Sequence, residues 1–180
     1  YVSFKVASTT QNAGTKNKQV TATVNQVYGT TMEINGTSTQ NTDPDQTVTF
    51  SIEITNDEGN GDDTVSYSHS GSGIDDWSLV YDASSKLDPD ETDDVSVSIT
   101  PDINALAGLK SINFIGTSED GETKSSVTIN VRVNKLPDLN VVKVGSSGQD
   151  VEAGKRVYYS FTVTNKGNAV DTFDLEIVND

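Results

Sequence analysis

The feature that most restricts the fold of this chain is an internal repeat, in which residues 48–56 recur as residues 157–165. Both segments alternate apolar with polar residues and end in an asparagine, and corresponding positions are 109 residues apart. The apolar pairs are Val48 with Val157, Phe50 with Tyr159, Ile52 with Phe161, and Ile54 with Val163. Residues 20–24 recur as 127–131, and Phe4 corresponds to Phe114. Because the spacing changes only where loops differ in length, the matches predict tandem copies of one structural unit.

The repeat also predicts the domain organisation. Residues 1–28 are expected to be the C-terminal part of one unit, residues 29–136 a complete unit, and residues 137–180 the N-terminal part of a third. We therefore expect the chain to be a portion of a longer array. The linker at 134–138 contains Pro137, which restricts its own backbone and that of the residue before it. This composition favours limited bending between units.

The complete unit contains seven short segments in which apolar and polar residues alternate, the period of a strand with one buried face. Their apolar residues are Met32 and Ile34; Val48, Phe50, Ile52 and Ile54; Val65 and Tyr67; Trp77, Leu79 and Tyr81; Val95, Val97 and Ile99; Ile112 and Phe114; and Val127, Ile129, Val131 and Val133. This pattern predicts an all-β fold of tandem immunoglobulin-like antiparallel β-sandwiches with about seven strands per repeat, a barrel being the weaker alternative. Residues 101–108 are the one candidate helical turn, expected to cross between the sheets.

Composition excludes several classes of partner and site. The chain has 12 basic and 27 acidic residues, a formal net charge of −15 and no cysteine. Such an acidic surface repels nucleic acid and anionic lipid, so no nucleic-acid partner is expected. No segment approaches the roughly 18 apolar residues of a membrane-spanning helix, so we expect no membrane insertion in this segment. The lack of cysteine excludes disulfides, thiolate metal sites and thiol nucleophiles.

Several stretches of the complete unit and its successor have the form of a known type of module. They are Leu87-Asp88-Pro89-Asp90-Glu91-Thr92 with Ile99-Thr100-Pro101 and Gly108; Asp76-Trp77-Ser78-Leu79; and Thr164-Asn165-Lys166-Gly167-Asn168 with Asp171-Thr172. Together they resemble CARDB-like, cell-adhesion-related modules, and the related immunoglobulin-like module found beside carbohydrate-active catalytic domains, over nearly the whole chain. The resemblance implies an extracellular location on an archaeal or bacterial envelope, and it carries over no catalytic residue. The chain departs from the pattern at Pro89-Asp90, where such modules often have Pro-Gly.

Neither the single histidine nor the paired carboxylates predict catalysis. A Ser-His-Asp site needs a histidine held between a nucleophile and a carboxylate, and no nucleophile-elbow sequence accompanies His69. The pairs Asp62-Asp63 and Asp75-Asp76 have the residue types of a glycosidase. However, adjacent strand residues point to opposite faces, and carboxylates in turns stay solvated. We therefore expect no enzyme active site in these residues.

Oxygen-rich turns provide three candidate calcium sites. Residues 56–63 partly imitate an EF-hand loop, with alternating oxygen ligands and Gly61 in the sixth position, although Tyr67 replaces the glutamate of position twelve. The second candidate is the acidic turn at 88–94, and the third is Asp138 in the linker. The candidate ligands are Asn56, Glu58, Asn60, Asp62, Asp63, Asp88, Asp90 and Asp138. The alternative for all three is turn formation and solubility, and no other cofactor is expected.

Two further features concern sugars. Asn35-Gly36-Thr37 is an N-glycosylation sequon, which predicts a glycan on Asn35. Trp77 alternates with Leu79 and Tyr81 on one strand face, a pattern that favours a core position over a sugar-stacking platform.

The leading hypothesis is a non-catalytic extracellular structural or adhesive repeat protein, such as a cell-surface stalk, S-layer or filament component. Its expected partners are copies of itself or neighbouring repeats, including a head-to-tail polymer through strand exchange, together with surface glycans. The alternative is an accessory carbohydrate-binding or spacer module of a secreted enzyme.

Overall fold

The computed structural model describes residues 2–10 and 14–178, with side-chain environments from residue 18 onward. In this part of the chain it contains thirteen strands and no helix, and it therefore has no helix that could cross a membrane. The strands are β1 (Val2–Thr10), β2 (Gly14–Ala22), β3 (Thr31–Asn35), β4 (Thr39–Thr42), β5 (Val48–Thr55), β6 (Asp63–Gly71), β7 (Ser78–Val80), β8 (Ser84–Leu87), β9 (Thr92–Thr100), β10 (Gly108–Thr117), β11 (Lys124–Val133), β12 (Leu139–Val144) and β13 (Ser160–Asn165).

Strands β3 to β11 form a two-sheet sandwich. One sheet has the order β3-β5-β9-β7, and the other has the order β4-β11-β10-β6-β8. All of the pairings are antiparallel except the parallel pairing of β4 with β11. This architecture confirms the predicted all-β fold built on an immunoglobulin-like antiparallel sandwich. The segment at 101–108 crosses between the sheets as expected, with one hydrogen-bonded turn from Ala105 N to Asp102 O (2.9 Å) rather than a helix.

The alternating residues of the central strands meet between the two sheets. In β5 the side chains of Phe50, Ile52 and Ile54 are buried, whereas Glu53 is exposed. Within the five-stranded sheet, the ring of Phe114 in β10 stacks on Tyr67 in the neighbouring strand β6, with 5.5 Å between centroids. Phe114 also meets Tyr81, which follows β7 of the other sheet, edge to face at 5.0 Å. Apolar contacts between opposing faces are the main source of stability in a chain without disulfides.

The sandwich has two strands that the apolar pattern did not predict. Strand β4 reads TQNT and strand β8 reads SSKL, and each buries a single side chain, Thr42 and Leu87 respectively. Both lie at the edges of the five-stranded sheet. An edge strand that contributes one residue to the core has no repeated apolar signal, so alternation alone does not detect it.

The two flanking hairpins have the strand registers of the sandwich. Strand β12 pairs with β13 so that Val141 lies opposite Val163, just as Met32 lies opposite Ile54 in the β3–β5 pair. In the other hairpin Phe4 lies opposite Val20, as Phe114 lies opposite Val127 in the β10–β11 pair. Each flanking hairpin therefore reproduces the register of one strand pair of the sandwich, β3–β5 or β10–β11.

Candidate functional site

The candidate site centres on residues 56–63, the turn that follows β5, called here the Asn56 turn. Asn56 is fully buried, and its Nδ2 donates to the carbonyl oxygens of Gly61 (3.1 Å), Leu87 (3.4 Å) and Asp88 (3.3 Å). Its amide thus joins the Asn56 turn to the turn that follows β8. The repeat counterpart Asn165 uses Nδ2 in the same way, donating to Ala169 O at 2.8 Å.

The Oδ1 atom of Asn56 is buried without a hydrogen-bond partner. In the counterpart turn, Asn165 Oδ1 accepts a hydrogen bond from Gly167 N at 2.9 Å. At the corresponding position of the Asn56 turn, the backbone N of Glu58 donates to Gly29 O (3.4 Å). A buried oxygen without a donor is costly, so Oδ1 is the least satisfied polar atom of this side chain.

Asp63 holds the end of the Asn56 turn against two other segments. Its side chain is 1 % exposed, Oδ1 accepts from Glu119 N (2.9 Å) and Oδ2 accepts from Thr30 Oγ1 (3.1 Å). A buried carboxylate with two hydrogen-bond donors is a structural connector between strands. Asp63 therefore uses both oxygens for contacts within the protein.

Asp62 points away from the core and forms an ion pair with Lys86, with Oδ2 2.9 Å from Nζ. The hydrogen bond from Lys86 is the main reason that the pKa of Asp62 is lowered, and the Lys86 charge adds to the effect. The same hydrogen bond raises the pKa of Lys86. Both groups are more than half exposed, so solvent screens the pair and its contribution to stability is small.

Asn60 and Glu58 contact the linker that enters the sandwich. Asn60 Oδ1 accepts from Val27 N at 2.8 Å, and its Nδ2 donates to Asn25 O at 3.0 Å. The backbone N of Glu58 donates to Gly29 O at 3.4 Å. The structure therefore gives these two predicted calcium ligands a role in holding the linker.

The acidic turn at 88–91 is closed by its own hydrogen bonds. Glu91 N donates to Asp88 O (3.0 Å), and Asp88 N donates to Glu91 Oε2 (2.7 Å). Pro89 occupies the second position, and Asp90 in the third position has φ of 63°, as in a type II turn. Asp138 also acts through its backbone, because its carbonyl accepts from Lys166 N (2.9 Å) and Gly167 N (3.1 Å).

In the residues that the structure describes, no group of three or more histidine, aspartate or glutamate side chains is placed to hold a metal ion. The contacts above bring Asn56, Asp62 and Asp88 into one neighbourhood, while Asp138 lies at the other linker. Calcium binding at these positions stays a prediction.

A groove at the side of the sandwich contains the single tryptophan. It has a volume of about 380 Å³ and is lined by Asp75, Asp76, Trp77, Asp102, Asn104 and Lys110, among others. Trp77 is half-buried and packs against the core on one side, so it combines the predicted core role with a face in the groove. His69 lies nearby, and its Nδ1 is 2.6 Å from Tyr81 Oη. Asn35, the predicted glycosylation site, is exposed at the end of β3.

No protein-family model and no curated protein matches this sequence. Several solved structures are similar to parts of this chain at low sequence identity. A FixG-related protein from Vibrio parahaemolyticus is 15% identical over 58% of this chain and 94% of its own, with a TM-score of 0.46. A PapD-like domain of human CEP192 is 15% identical over 57% of this chain and 84% of its own, with a TM-score of 0.39. Escherichia coli alpha-2-macroglobulin is 14% identical over 73% of this chain and 11% of its own, with a TM-score of 0.43.

Reasoning from single motifs missed the asparagine at the second linker, Asn168, and the ion pair of Lys135 with Asp171. The signal was present in the repeat. Asn60 and Asn168 occupy corresponding positions, as do the linker residues Asn25 and Asn134. A comparison of linkers between repeats, rather than of strands alone, identifies them.

Proposed function

We propose that this chain belongs to a non-catalytic structural or adhesive repeat protein of the cell surface, as a stalk, lattice or filament component. The observation that carries the proposal is the shared strand register of the sandwich and both flanking hairpins. These registers support a chain that contains parts of three similar units. Repeated units of one kind suit a protein whose task is to span a distance or to present similar faces.

The surface chemistry supports the same proposal. The formal net charge of −15 keeps neighbouring copies soluble and attracts cations. Asn35 is exposed, as a glycan acceptor in an extracellular protein must be. The resemblance to cell-adhesion-related modules supports an extracellular location on an archaeal or bacterial envelope. The proposed partners are neighbouring repeats and copies of the same protein.

Intact cells that produce the full-length protein provide the test. An antibody against residues 29–136 should label these cells without permeabilisation, and external protease should remove the label. Deleting residues 29–136 from the full-length protein should shorten the surface structure in electron micrographs by the length of one unit, while display continues. A label that appears only after permeabilisation contradicts the proposal.

The groove beside Trp77 favours a second candidate, an accessory carbohydrate-binding module. An aromatic face next to Asp75, Asp76 and Asn104 offers both a stacking surface and hydrogen-bond partners for sugar hydroxyls. Binding to a glycan array, lost in Trp77→Phe and in Asp76→Asn, would support this candidate. Phenylalanine preserves most of the core contact, so loss of binding would be separable from loss of folding. Absence of glycan binding in the wild-type chain would exclude it.

A further inference from the structure

Asn168 connects the turn after β13 to the linker that precedes β12. Its Oδ1 accepts a hydrogen bond from Leu136 N (2.8 Å), and its Nδ2 donates to Asn134 O (2.9 Å). Its backbone N also donates to Leu136 O at 3.3 Å. The side-chain amide therefore pairs with the linker as a neighbouring strand would, with one donor and one acceptor matched to alternate backbone groups.

Asn60 makes the same three contacts at the preceding linker. Its Oδ1 accepts from Val27 N (2.8 Å), its Nδ2 donates to Asn25 O (3.0 Å) and its backbone N donates to Val27 O (3.2 Å). Each participating atom has its counterpart one repeat later. The agreement of three hydrogen bonds, atom for atom, identifies a recurrent joint rather than a chance surface contact.

At the second linker the contact extends to the body of the preceding sandwich. Asn168 Nδ2 also donates to Ala105 O (3.2 Å), and Ala107 N donates to Asn168 O (2.9 Å). These two residues belong to the segment that crosses from β9 to β10. Next to them, Lys135 Nζ lies 3.0 Å from Asp171 Oδ1. Asn168 thus contacts the linker and the preceding sandwich at the same time.

At each joint the linker and the turn approach so closely that one of the two must have a glycine. At the first joint the glycine is in the linker, and at the second joint it is in the turn. A Cβ on Gly29 would collide with the Cβ of Glu58. At the second joint the position equivalent to Glu58 is Gly167, where a Cβ would lie 2.6 Å from Leu136 O and 3.0 Å from Asp138 N. The position equivalent to Gly29 is Asp138, which has a side chain. One glycine is therefore present at each close approach, and the linker and the turn are too close together to slide past each other.

We propose that Asn60 and Asn168, called here the joint asparagines, hold each unit in one fixed orientation relative to the unit before it. The surface formed by residues 105–107 and 134–138 is then a docking site whose partner is the turn at 165–171 of the following unit. This inference rests on the proposed repeat architecture and adds a defined geometry to it. The hydrogen bonds to the linker recur at both joints, and at the second joint they are joined by contacts with the preceding sandwich, so we expect successive units to have similar angles along the chain.

Distance measurement by electron paramagnetic resonance tests the proposal on the complete 180-residue chain. The chain has no cysteine, so Thr128→Cys and Thr162→Cys introduce two unique spin-label sites at exposed positions of β11 and β13. The unaltered joint should give one narrow distance distribution. Asn168→Asp is expected to replace it with a broad one, because a carboxylate would face two carbonyl oxygens and lose both donated hydrogen bonds.

Asn140→Asp is the matched control, since it adds the same charge at an exposed position of β12 and should leave the distribution narrow. Amide hydrogen exchange provides a second readout. The amides of Leu136 and Ala107 both donate to residue 168 and keep their acceptors in Asn168→Asp. They should nevertheless exchange about tenfold faster, because the joint opens more often once the two hydrogen bonds donated by Nδ2 are lost. The amides of β10 and β11 should be unchanged, which would show that the sandwich remains folded.

Gly167→Ala serves as an independent variant, because it disturbs the close approach without altering any hydrogen-bonding side chain. It should broaden the same distance distribution. A broad distribution in the unaltered chain, or a distribution in Asn168→Asp as narrow as in the control, would overturn the fixed joint. Either result would leave the surface-labelling test of the proposed function unaffected, so the two failures are distinguishable.

Discussion

The sandwich and the β12–β13 hairpin share one strand register but differ in burial. Ile52 is fully buried, whereas its repeat counterpart Phe161 is 59% exposed. The two segments have the same alternation, the same partner strand and equivalent pairing. The difference is the second sheet, which covers β5 and is absent from β13 in the described residues. Register is therefore encoded locally in the hairpin, while burial depends on strands far away in sequence.

The largest expected change in stability comes from Ile52, and its counterpart Phe161 provides the comparison. Ile52→Ala removes fully buried side-chain atoms and should lower the free energy of unfolding of the sandwich by about 2–5 kcal/mol. Phe161→Ala should change it by less than about 0.5 kcal/mol, because the ring is largely solvated. Urea denaturation followed by the fluorescence of the single tryptophan measures both. Equal losses would show that the hairpin is covered in solution.

The second comparison concerns the aspartates that follow the two turns. Asp63→Asn should destabilise the sandwich by about 1–3 kcal/mol, because the amide presents a donor to Glu119 N or Thr30 Oγ1 in a buried site. Its counterpart Asp171 instead forms an ion pair with Lys135 near the surface, so Asp171→Asn should have a smaller effect. The same urea titration applies. A larger effect at Asp171 would reverse this assignment of roles.

A gain in stability is expected at the turn before β5. Asp45 has φ of 61°, in the left-handed region, and its repeat counterpart is Gly154 with φ of 84°. Asp45→Gly should therefore raise the free energy of unfolding by up to about 1 kcal/mol, since glycine adopts this conformation without steric cost. Thermal unfolding of the unaltered chain and of Asp45→Gly shows whether the substitution raises or lowers the stability. Unchanged or reduced stability would show that the Asp45 side chain compensates for its backbone conformation.

The smallest effect should be the pH dependence of the two ion pairs. Lys86 lowers the pKa of Asp62 within the sandwich, and Lys135 lowers the pKa of Asp171 across the linker. A carboxylate with a lowered folded-state pKa stabilises the protein above the ordinary aspartate pKa, and this contribution disappears as the pH falls through the folded value. The difference in melting temperature between the unaltered chain and Lys86→Ala should therefore shrink as the pH falls below the usual range of aspartate. A difference that is constant with pH would exclude the ion pair as its cause.

Alternation of apolar residues predicted every strand that supplies several side chains to the core. It did not predict β4 and β8, because a strand with one buried residue has no period to detect. Alternation also predicted a strand around Trp77 that is longer than the observed one. Strand β7 covers only Ser78–Val80, and Trp77 and Tyr81 pack against the core from positions on either side of it. Burial of side chains outside a strand depends on tertiary packing, which local pattern does not contain.

The functional residues were predicted less well, for a different reason. Asparagine and aspartate in turns are equally suited to metals, to glycans and to backbone hydrogen bonds. Asn60 was singled out for its oxygen, but in the structure both ends of its amide are used by the linker. The choice between these roles depends on what lies opposite each side chain. Comparing the repeats shows from sequence that the turn asparagines Asn60 and Asn168 recur together with the linker asparagines Asn25 and Asn134, but their contacts come from the structure.

The four edges of the sandwich are short. Strands β7 and β3 border one sheet with three and five residues, and β4 and β8 border the other with four residues each. A foreign strand that docked there would find only a few free backbone groups and would gain too little to remain. Many such units could stand side by side at high density without zipping into fibrils. Lateral association in a crowded layer would then be governed by side chains and charge, both of which can be adjusted without altering the fold.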